Sequence, residues 1–306
     1  MQPIIHPKLS IHPIILPQRC FMDIFGKQNA YIAMNPSMWI QPDGTFVILV
    51  RCINYRKFHN KQYTVYQNQS NSKYMCLQGT LSQYKSLDLE SCSITELNIV
   101  YNNATYPTYW TGSEDIRFID SESVLVNIPE CNPCGHPAIF HATFDASCSI
   151  LKNIQTCFPN ASPEKNWMPF QTGTQTSRVI YSLVPFIIKD IQTDVKENIH
   201  LSDTVRSALE ENHGSTNGIH TETGEQLFLI HLNKERTIHR WLRFHPTSHK
   251  ISISLPFTFF KNSYIEFACT LSEWNHSYWI GLGVNDDQSM IIEVSKYAVQ
   301  SQYWIE

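Results

Sequence analysis

Charged residues make up only 16% of this 306-residue sequence, and the net charge is −4. A chain with no broad basic field is not built to hold nucleic acid electrostatically. No apolar run approaches the roughly 20 residues that a membrane-spanning helix needs, so no membrane span is expected. The opening MQPIIHPKLSIHPIILPQ is apolar but broken by four prolines, and it lacks a basic start and a small-residue cleavage site. It reads as an extended N-terminal arm over 1–30, not a signal peptide. Cytoplasmic localisation and reduced thiols are the corresponding expectations for the nine cysteines. Cys131-Asn-Pro-Cys134 has metal or redox spacing, but no second such pair follows it, so a tight turn with two free thiols is expected and no metal site. No Asp-x-Asp motif is present, which argues against a metal-dependent sugar transferase of the common type.

Helical periodicity is almost as scarce, and only DTVRSALEEN (203–212) reads as a helix. Strand signals fill the rest: TFVILVRCINY (45–55), SVLVNI (123–128), RVIYSLVPFII (178–188), QLFLIHL (226–232), ISISLPFTFF (251–260) and YWIGLGV (278–284). These β-branched and aromatic runs are bounded by turn residues and predict an all-β chain.

The turns carry a repeat. Asp43-Gly44, Asp120-Ser121, Gly173-Thr174, Thr223-Gly224 and Asn275-His276 each separate two strand-like runs, as hairpin turns do. From position 121 the turns at 174, 224 and 276 follow at intervals of 53, 50 and 52 residues. The first interval, from 44 to 121, is 77, longer by about the size of a polar insert around 56–85. Hairpin units with a period near 50 residues are the signature of propeller blades. The fold expected is a five-bladed β-propeller over 31–306, with the N-terminal arm and one short helix.

Polar clusters lie six to eight residues before each turn: Asn35-Pro-Ser37, Ser113-Glu-Asp115, Glu164-Lys-Asn166, Ser215-Thr-Asn217 and Glu266. A second set lies seven to ten residues after most of the turns: Arg51, Tyr181-Ser182, His231 and Asn285-Asp286. Residues equidistant from a hairpin turn lie side by side. If these strands are the inner ones, the clusters converge on one end of a central channel. A water-filled polar channel accounts for any one cluster, and a ligand site accounts for all of them together.

GSEDIRF (112–118), EKNWMPF (164–170), HGSTNGI with LFLIHL (213–232) and GLGVNDDQS (281–289) resemble the recurring motifs of the β-mannoside phosphorylases. Those are five-bladed propellers of glycoside hydrolase family 130, with a glycosyltransferase-like offshoot. The resemblance spans about residues 31–299. It implies inverting transfer of a mannosyl-type group, with Asp115 as the catalytic acid acting through a sugar hydroxyl. It implies phosphate-binding roles for Lys165, His231 and Arg51, and sugar contacts for Asn35 and Asp286. Glu114, Arg117, Asn166, Trp167 and Asn217 complete the candidate substrate-binding set. Arg117 is expected to pair with Glu114 or Asp115 and orient the acid. Trp167 would be a sugar-stacking wall or a packing residue.

The chemistry is consistent with such a site. Glycosidic cleavage needs a proton at the leaving oxygen, and an inverting hydrolase needs a second carboxylate to activate water. A phosphorylase needs only cationic positioning of an anion that is already nucleophilic. The implied partner is an oligosaccharide or sugar phosphate. No cofactor is implied beyond phosphate or a nucleotide-sugar as co-substrate. Ile116 stands where the phosphorylases usually carry Pro, and Asn166-Trp167 departs from their continuation after the Lys. Those departures keep a nucleotide-sugar transferase in view, beside an inverting hydrolase and a catalytically inactive propeller that binds carbohydrate or a protein.

Overall fold

The computed structural model describes residues 4–6, 9–17, 31–57, 63–65, 70–82, 87–102, 105–108, 110–157, 163–172 and 175–306. Among them, extended structure dominates, with two short helices, Asp203–Leu209 and Lys296–Gln300. The first helix begins where Ser202 caps Val205 N and ends short of the expected 212, because Asn212 already pairs with Leu232 in a strand. The second has five residues, too few to show a helical period in sequence. No described helix is long and apolar enough to cross a membrane.

Five sheets of four or more strands follow one another along the chain in a β-propeller arrangement. The first carries Ile32–Ile40, Thr45–Ile53 and Ser70–Thr80; the second carries Glu114–Phe118, Ser123–Asn127, Ile139–Asp145 and Ile150–Thr156. The third is Met168–Thr172, Gln175–Ser182, Phe186–Asp190 and Lys196–Ile199. The fourth is built on Gln226–Leu232 and His239–Phe244, and the fifth on Glu266–Trp274, Ser277–Val284 and Gln288–Ser295.

The expected turns at 43–44, 120–121, 223–224 and 275–276 each join the first strand of a sheet to its second. The turn at 173–174 lies outside the described residues. Two expected strands divide in the structure. RVIYSLVPFII reverses at Leu183–Pro185 into two antiparallel strands, and ISISLPFTFF breaks at Leu255-Pro256.

A separate hydrophobic cluster fills each gap between consecutive sheets. Leu49, Tyr74 and Phe118 join the first sheet to the second. Leu125, Trp167 and Val179 join the second to the third, and Phe170, Phe186 and Phe228 the third to the fourth. Leu229, Trp241 and Leu282 join the fourth to the fifth. The cluster of Met38, Ile48, Val50, Trp279 and Ile291 packs the fifth sheet on the first and closes the ring.

Residues Leu9–Pro13 are extended, as the arm was expected to be, and they form the outer strand of the fifth sheet, antiparallel to Met290–Val294. Ile4–Ile5 then pairs with Phe257–Thr258 of the fourth. Such edge positions accept proline, because only one side of the strand needs its N–H groups.

The first strand of each sheet faces the central axis. Side chains bond from one inner strand to the backbone of another. Ser37 Oγ donates to Ile116 O, Arg117 Nε to Ser215 O, and Asn217 Nδ2 to Leu271 O at 2.8 Å. Thr270 Oγ1 accepts Met38 N at 2.8 Å and Ser272 Oγ donates to Met38 O at 2.8 Å. Gln171 Nε2 reaches Ile119 O at 2.9 Å, and Gly218 N reaches Pro169 O at 2.7 Å.

The GLG of the fifth sheet serves the ring closure. A Cβ on Gly281 would stand 2.0 Å from Pro36 O, and one on Gly283 would stand 1.9 Å from Asn35 Oδ1. Because Pro36 O is backbone, it cannot turn aside. Gly281→Ala is therefore expected to destabilise the fold by about 1–3 kcal/mol or more, read as a lower urea midpoint; an unchanged midpoint would show that this contact does not set the closure.

Candidate functional site

The inner strands begin at one end of the channel, and the second strands of the hairpins end there. Register brings Met34 opposite Arg51, His213 opposite His231, and Glu266 opposite Val284, two residues before Asp286. These pairs surround a cavity of about 490 Å³.

Two inner strands carry bulges at this level, between Met34 and Ser37 and between Glu114 and Arg117. Asn35 and Asp115 sit in them with φ of 40° and 50°, and Asn166 enters its strand with φ of 62°. Such left-handed backbone costs an ordinary residue about 1–2 kcal/mol and is best tolerated by Asn and Asp. A bulge turns its extra residue out of the strand's alternation. Here all three of these residues line the cavity.

Of the eleven candidate residues, Asn35, Arg51, Glu114, Asp115, Lys165, Asn166, His231 and Asp286 line this one cavity. Arg117, Trp167 and Asn217 do not. Arg117 is buried, with its guanidinium on Ser215 O and, at 3.3 Å, on the backbone oxygen of Asp115. It therefore does not form the expected carboxylate pair, because the inner strand of the fourth sheet takes the guanidinium first. Trp167 lies in the apolar gap between the second and third sheets, with Nε1 on Glu164 at 3.1 Å and the Lys189 ammonium 4.6 Å from its ring centre. Asn217 is spent on Leu271, accepting from its N and donating to its O. Tyr181 and Ser182 line an adjoining groove that shares Lys165, Asn166 and His213 with the cavity.

The charges are paired in an ordered way. Arg51 Nη2 bonds Glu114 Oε1 and, at 3.0 Å, Tyr55 Oη, while Nε donates to Ser72 Oγ at 2.9 Å. Its Nη1 stands 4.0 Å from Asp115 Oδ1. Burial opposes the charge on Arg51, but Glu114 and then Tyr55, Tyr74 and Asp115 hold its pKa well above the ordinary value. Lys165 Nζ is 3.7 Å from Glu114 Oε2, and its side chain is 45% exposed against 14% for Asp115. Glu164 turns the other way, to Trp167 and to Tyr181 Oη at 2.9 Å.

His231 is uncharged. Burial, followed by His239, His213, Arg117 and Arg236, pulls its pKa down to about 3, so it is a neutral imidazole and not a cation. Its Nδ1 shares a 2.6 Å hydrogen bond with Ser215 Oγ, which fixes the ring. Glu266 is consumed as a structural acceptor for Phe259 N and Phe260 N, each at 2.9 Å. Among the described residues no group of three or more His, Cys, Asp or Glu is arranged to hold a metal ion. Cys131 and Cys134 are free, beside the short 3-10 turn Pro129–Cys131.

The cavity also contains Tyr55, Trp110, His213, Asn233, Arg236 and Phe267, which were not among the candidates. His213 stood within a quoted motif, just before the Ser215-Thr-Asn217 cluster. Arg236 lies in NKERT, which reads as a solvated turn; it is held because Glu266 N bonds its carbonyl at 3.0 Å. Trp110 belongs to a strand that pairs in parallel with Ser70–Ser72, a contact with no local signal.

No family model matches the chain, and no curated protein matches it by sequence. Solved structures do match. The β-1,2-mannobiose phosphorylase of Listeria innocua, seen with β-1,2-mannobiose, superposes with a TM-score of 0.56 at 13% identity, covering 95% of each chain. A second comes from the GH130 family of mannoside phosphorylases, which contains glycoside hydrolases that target β-1,2-mannosidic linkages in Candida mannan. Its TM-score is 0.55 at 9% identity, over 97% of both chains. A glycosyl hydrolase of Bacteroides ovatus gives 0.53 at 10% identity, over 87% of this chain and 85% of the other. At such identities the likeness is one of fold: the chain has a β-propeller fold like that of glycoside hydrolase family 130.

Proposed function

We propose that the chain is a carbohydrate-active enzyme on a five-bladed propeller, catalysing inverting transfer of a mannosyl-type group between a β-mannoside and phosphate. The ring of five sheets and five inter-sheet clusters supports the blade count. The observation that carries the chemistry is Asp115, lifted out of its strand at φ 50° into a cavity that it shares with Lys165, Arg51 and His231. Arg117 leaves its carboxylate unsealed.

In this reading the Asp115 carboxyl gives its proton, by way of a sugar hydroxyl, to the glycosidic oxygen as the C1–O bond breaks. A phosphate oxygen attacks C1 from the opposite face, and the anomeric configuration inverts. Lys165 and Arg236 supply positive charge for the phosphate, and His231 holds it as a neutral hydrogen-bonding group. Arg51, neutralised by Glu114, acts chiefly by fixing the wall beside Asp115. Asn35, Asn166 and Asp286 contact sugar hydroxyls. The saccharide is an oligosaccharide or a sugar phosphate, and a cytoplasmic setting belongs to the same reading.

One observation favours a second reading, inverting hydrolysis. Three cations, Arg51, Lys165 and Arg236, meet four carboxylates, Glu114, Asp115, Glu266 and Asp286, and Arg51 is already paired. That leaves less positive charge for an anion than a cavity of unpaired cations would hold.

Incubation of a β-mannobioside with and without phosphate separates the readings. Phosphorolysis yields mannose 1-phosphate only when phosphate is present, and hydrolysis yields mannose without it. Nucleotide release from a nucleotide-mannose would establish the transferase, and no turnover with any donor would leave a binding propeller. Asp115→Asn is expected to lower turnover by about 10²–10⁴ while thermal unfolding stays as in the wild type. Wild-type turnover in that variant would remove Asp115 from the mechanism.

A second expectation concerns pH. Between about 3 and the ordinary 6.5 of histidine, the unfolded chain binds a proton at position 231 that the folded chain refuses. The stability contributed by neutral His231 is therefore complete above pH 6.5 and is lost as the pH falls toward 3. The unfolding midpoint should fall through that window, and less steeply in His231→Gln. Parallel curves for the two proteins would show that His231 carries no such linkage.

A further inference from the structure

The connection from the first sheet to the second delivers both a wall of the cavity and its candidate acid. It first runs parallel to the outer strand of the second sheet, with Asn98–Ile99 beside Ile150–Leu151. It then reaches the cavity at Trp110–Gly112, which pairs in parallel with Ser70–Ser72 of the first sheet. Trp110 lines the cavity, and Lys165 Nζ stands 5.8 Å from its ring centre. Directly afterwards the same segment becomes the bulge that carries Asp115.

The group that holds this segment does not line the cavity. Glu130, in the Pro129–Cys131 turn of the second sheet, is buried. Its Oε1 accepts Gly112 N at 2.8 Å and Tyr101 Oη at 2.9 Å, and its backbone oxygen accepts Tyr106 N at 2.8 Å. Its Oε2 is buried without a partner among the described residues. A carboxyl buried with one oxygen unsatisfied is a cost to the fold. What its other oxygen fixes is the backbone that leads to Asp115.

The first sheet grips the same backbone from the other side. Ser72 Oγ donates to Ser113 O at 2.7 Å while accepting Arg51 Nε at 2.9 Å. Successive residues are thus fixed, Gly112 at its N–H and Ser113 at its oxygen, just before Asp115 leaves the strand at φ 50°. Backbone in that region persists only where the surrounding structure over-determines it.

We propose, on the reading of Asp115 as the acid, that Glu130 is a positioning residue: by holding Gly112 N it sets where Trp110 and Asp115 stand in the cavity. The role requires an acceptor at the reach of Glu130 Oε1, and no charge. Gln carries such an acceptor at the same reach. Asp is one methylene shorter and withdraws from Gly112 N. A misplacement of about 1 Å at a reacting centre can cost about 10²-fold in rate.

The test compares Glu130→Gln and Glu130→Asp with the wild type, as full chains and well below each unfolding midpoint, by kcat and KM for a β-mannobioside. Glu130→Gln is expected to stay within about twofold of the wild type, and Glu130→Asp to lose about tenfold or more in kcat, with a several-fold rise in KM. Glu130→Met, which fills the space without an acceptor, replaces Glu130→Asp if that variant does not fold. A purely structural role would lower the unfolding midpoint and leave kcat and KM of the folded enzyme alone. That result, or an equal loss in Glu130→Gln, would overturn the proposal. Saturation-transfer NMR of the β-mannobioside separates it from the catalytic reading. No turnover by the wild type, with saturable binding that Glu130→Asp weakens and Glu130→Gln does not, removes the catalytic reading and keeps the positioning role. A wild type that neither turns over nor binds the β-mannobioside removes both.

Discussion

The inner strands belong to different sheets and share no backbone ladder, so the centre of the molecule depends on side chains that supply the missing hydrogen bonds. Ser37, Arg117, Asn217, Thr270 and Ser272 each reach across to the backbone of another inner strand. A buried backbone group without a partner costs about 1–3 kcal/mol, so each bridge is worth far more than its net value in water suggests. These bridges hold the inner strands at one height. The ends of the strands are consequently held at one height too, and a cavity forms at each mouth of the channel.

The cavity of Asp115 is polar because those ends carry the residues that the bridges do not use. Within it, the buried Arg51–Glu114 pair is the fixed point. Removing one partner of such a pair typically costs about 3–5 kcal/mol, so the wall it forms resists rearrangement. Asp115 stands next to that wall with its backbone in a region few residues tolerate. Burial keeps His231 neutral on the far side, held by Ser215. The two mouths thus differ in kind: one mixes charges and neutral donors, and the other, among the described residues, presents indoles and amides and no Lys or Arg.

The polar clusters spaced around each turn were legible because a hairpin converts distance from its turn into height along the channel. That placed Asn35, Arg51, Asp115, Lys165, His231 and Asp286 at one level without reference to any contact. The same reasoning could not divide a cluster between its two tasks. Ser215, Thr216 and Asn217 sit at the right height, yet Ser215 orients His231 while Asn217 is bonded to the fifth sheet. Thr216 Oγ1, for its part, accepts Leu229 N at 3.0 Å. Arg51 took the carboxylate pairing expected of Arg117, and Arg117 is spent on the backbone oxygen of Ser215. Which guanidinium meets a carboxylate depends on what lies across the channel, and that neighbour is about 100 residues away in sequence.

The stretch EKNWMPF shows where the division falls. The distance of its polar cluster from the turn at 173–174 placed the segment at the start of an inner strand. Only the tertiary structure decided that Glu164 and Trp167 bond each other and face the gap between the second and third sheets, while Lys165 and Asn166 line the cavity. Strand patterns and turn residues are local, with periods of two and about fifty residues, and a chain records them in order. The charge state of His231, the pairing of Arg51 and the commitment of Arg117 arise from burial among groups brought together by ring closure, which no local pattern encodes.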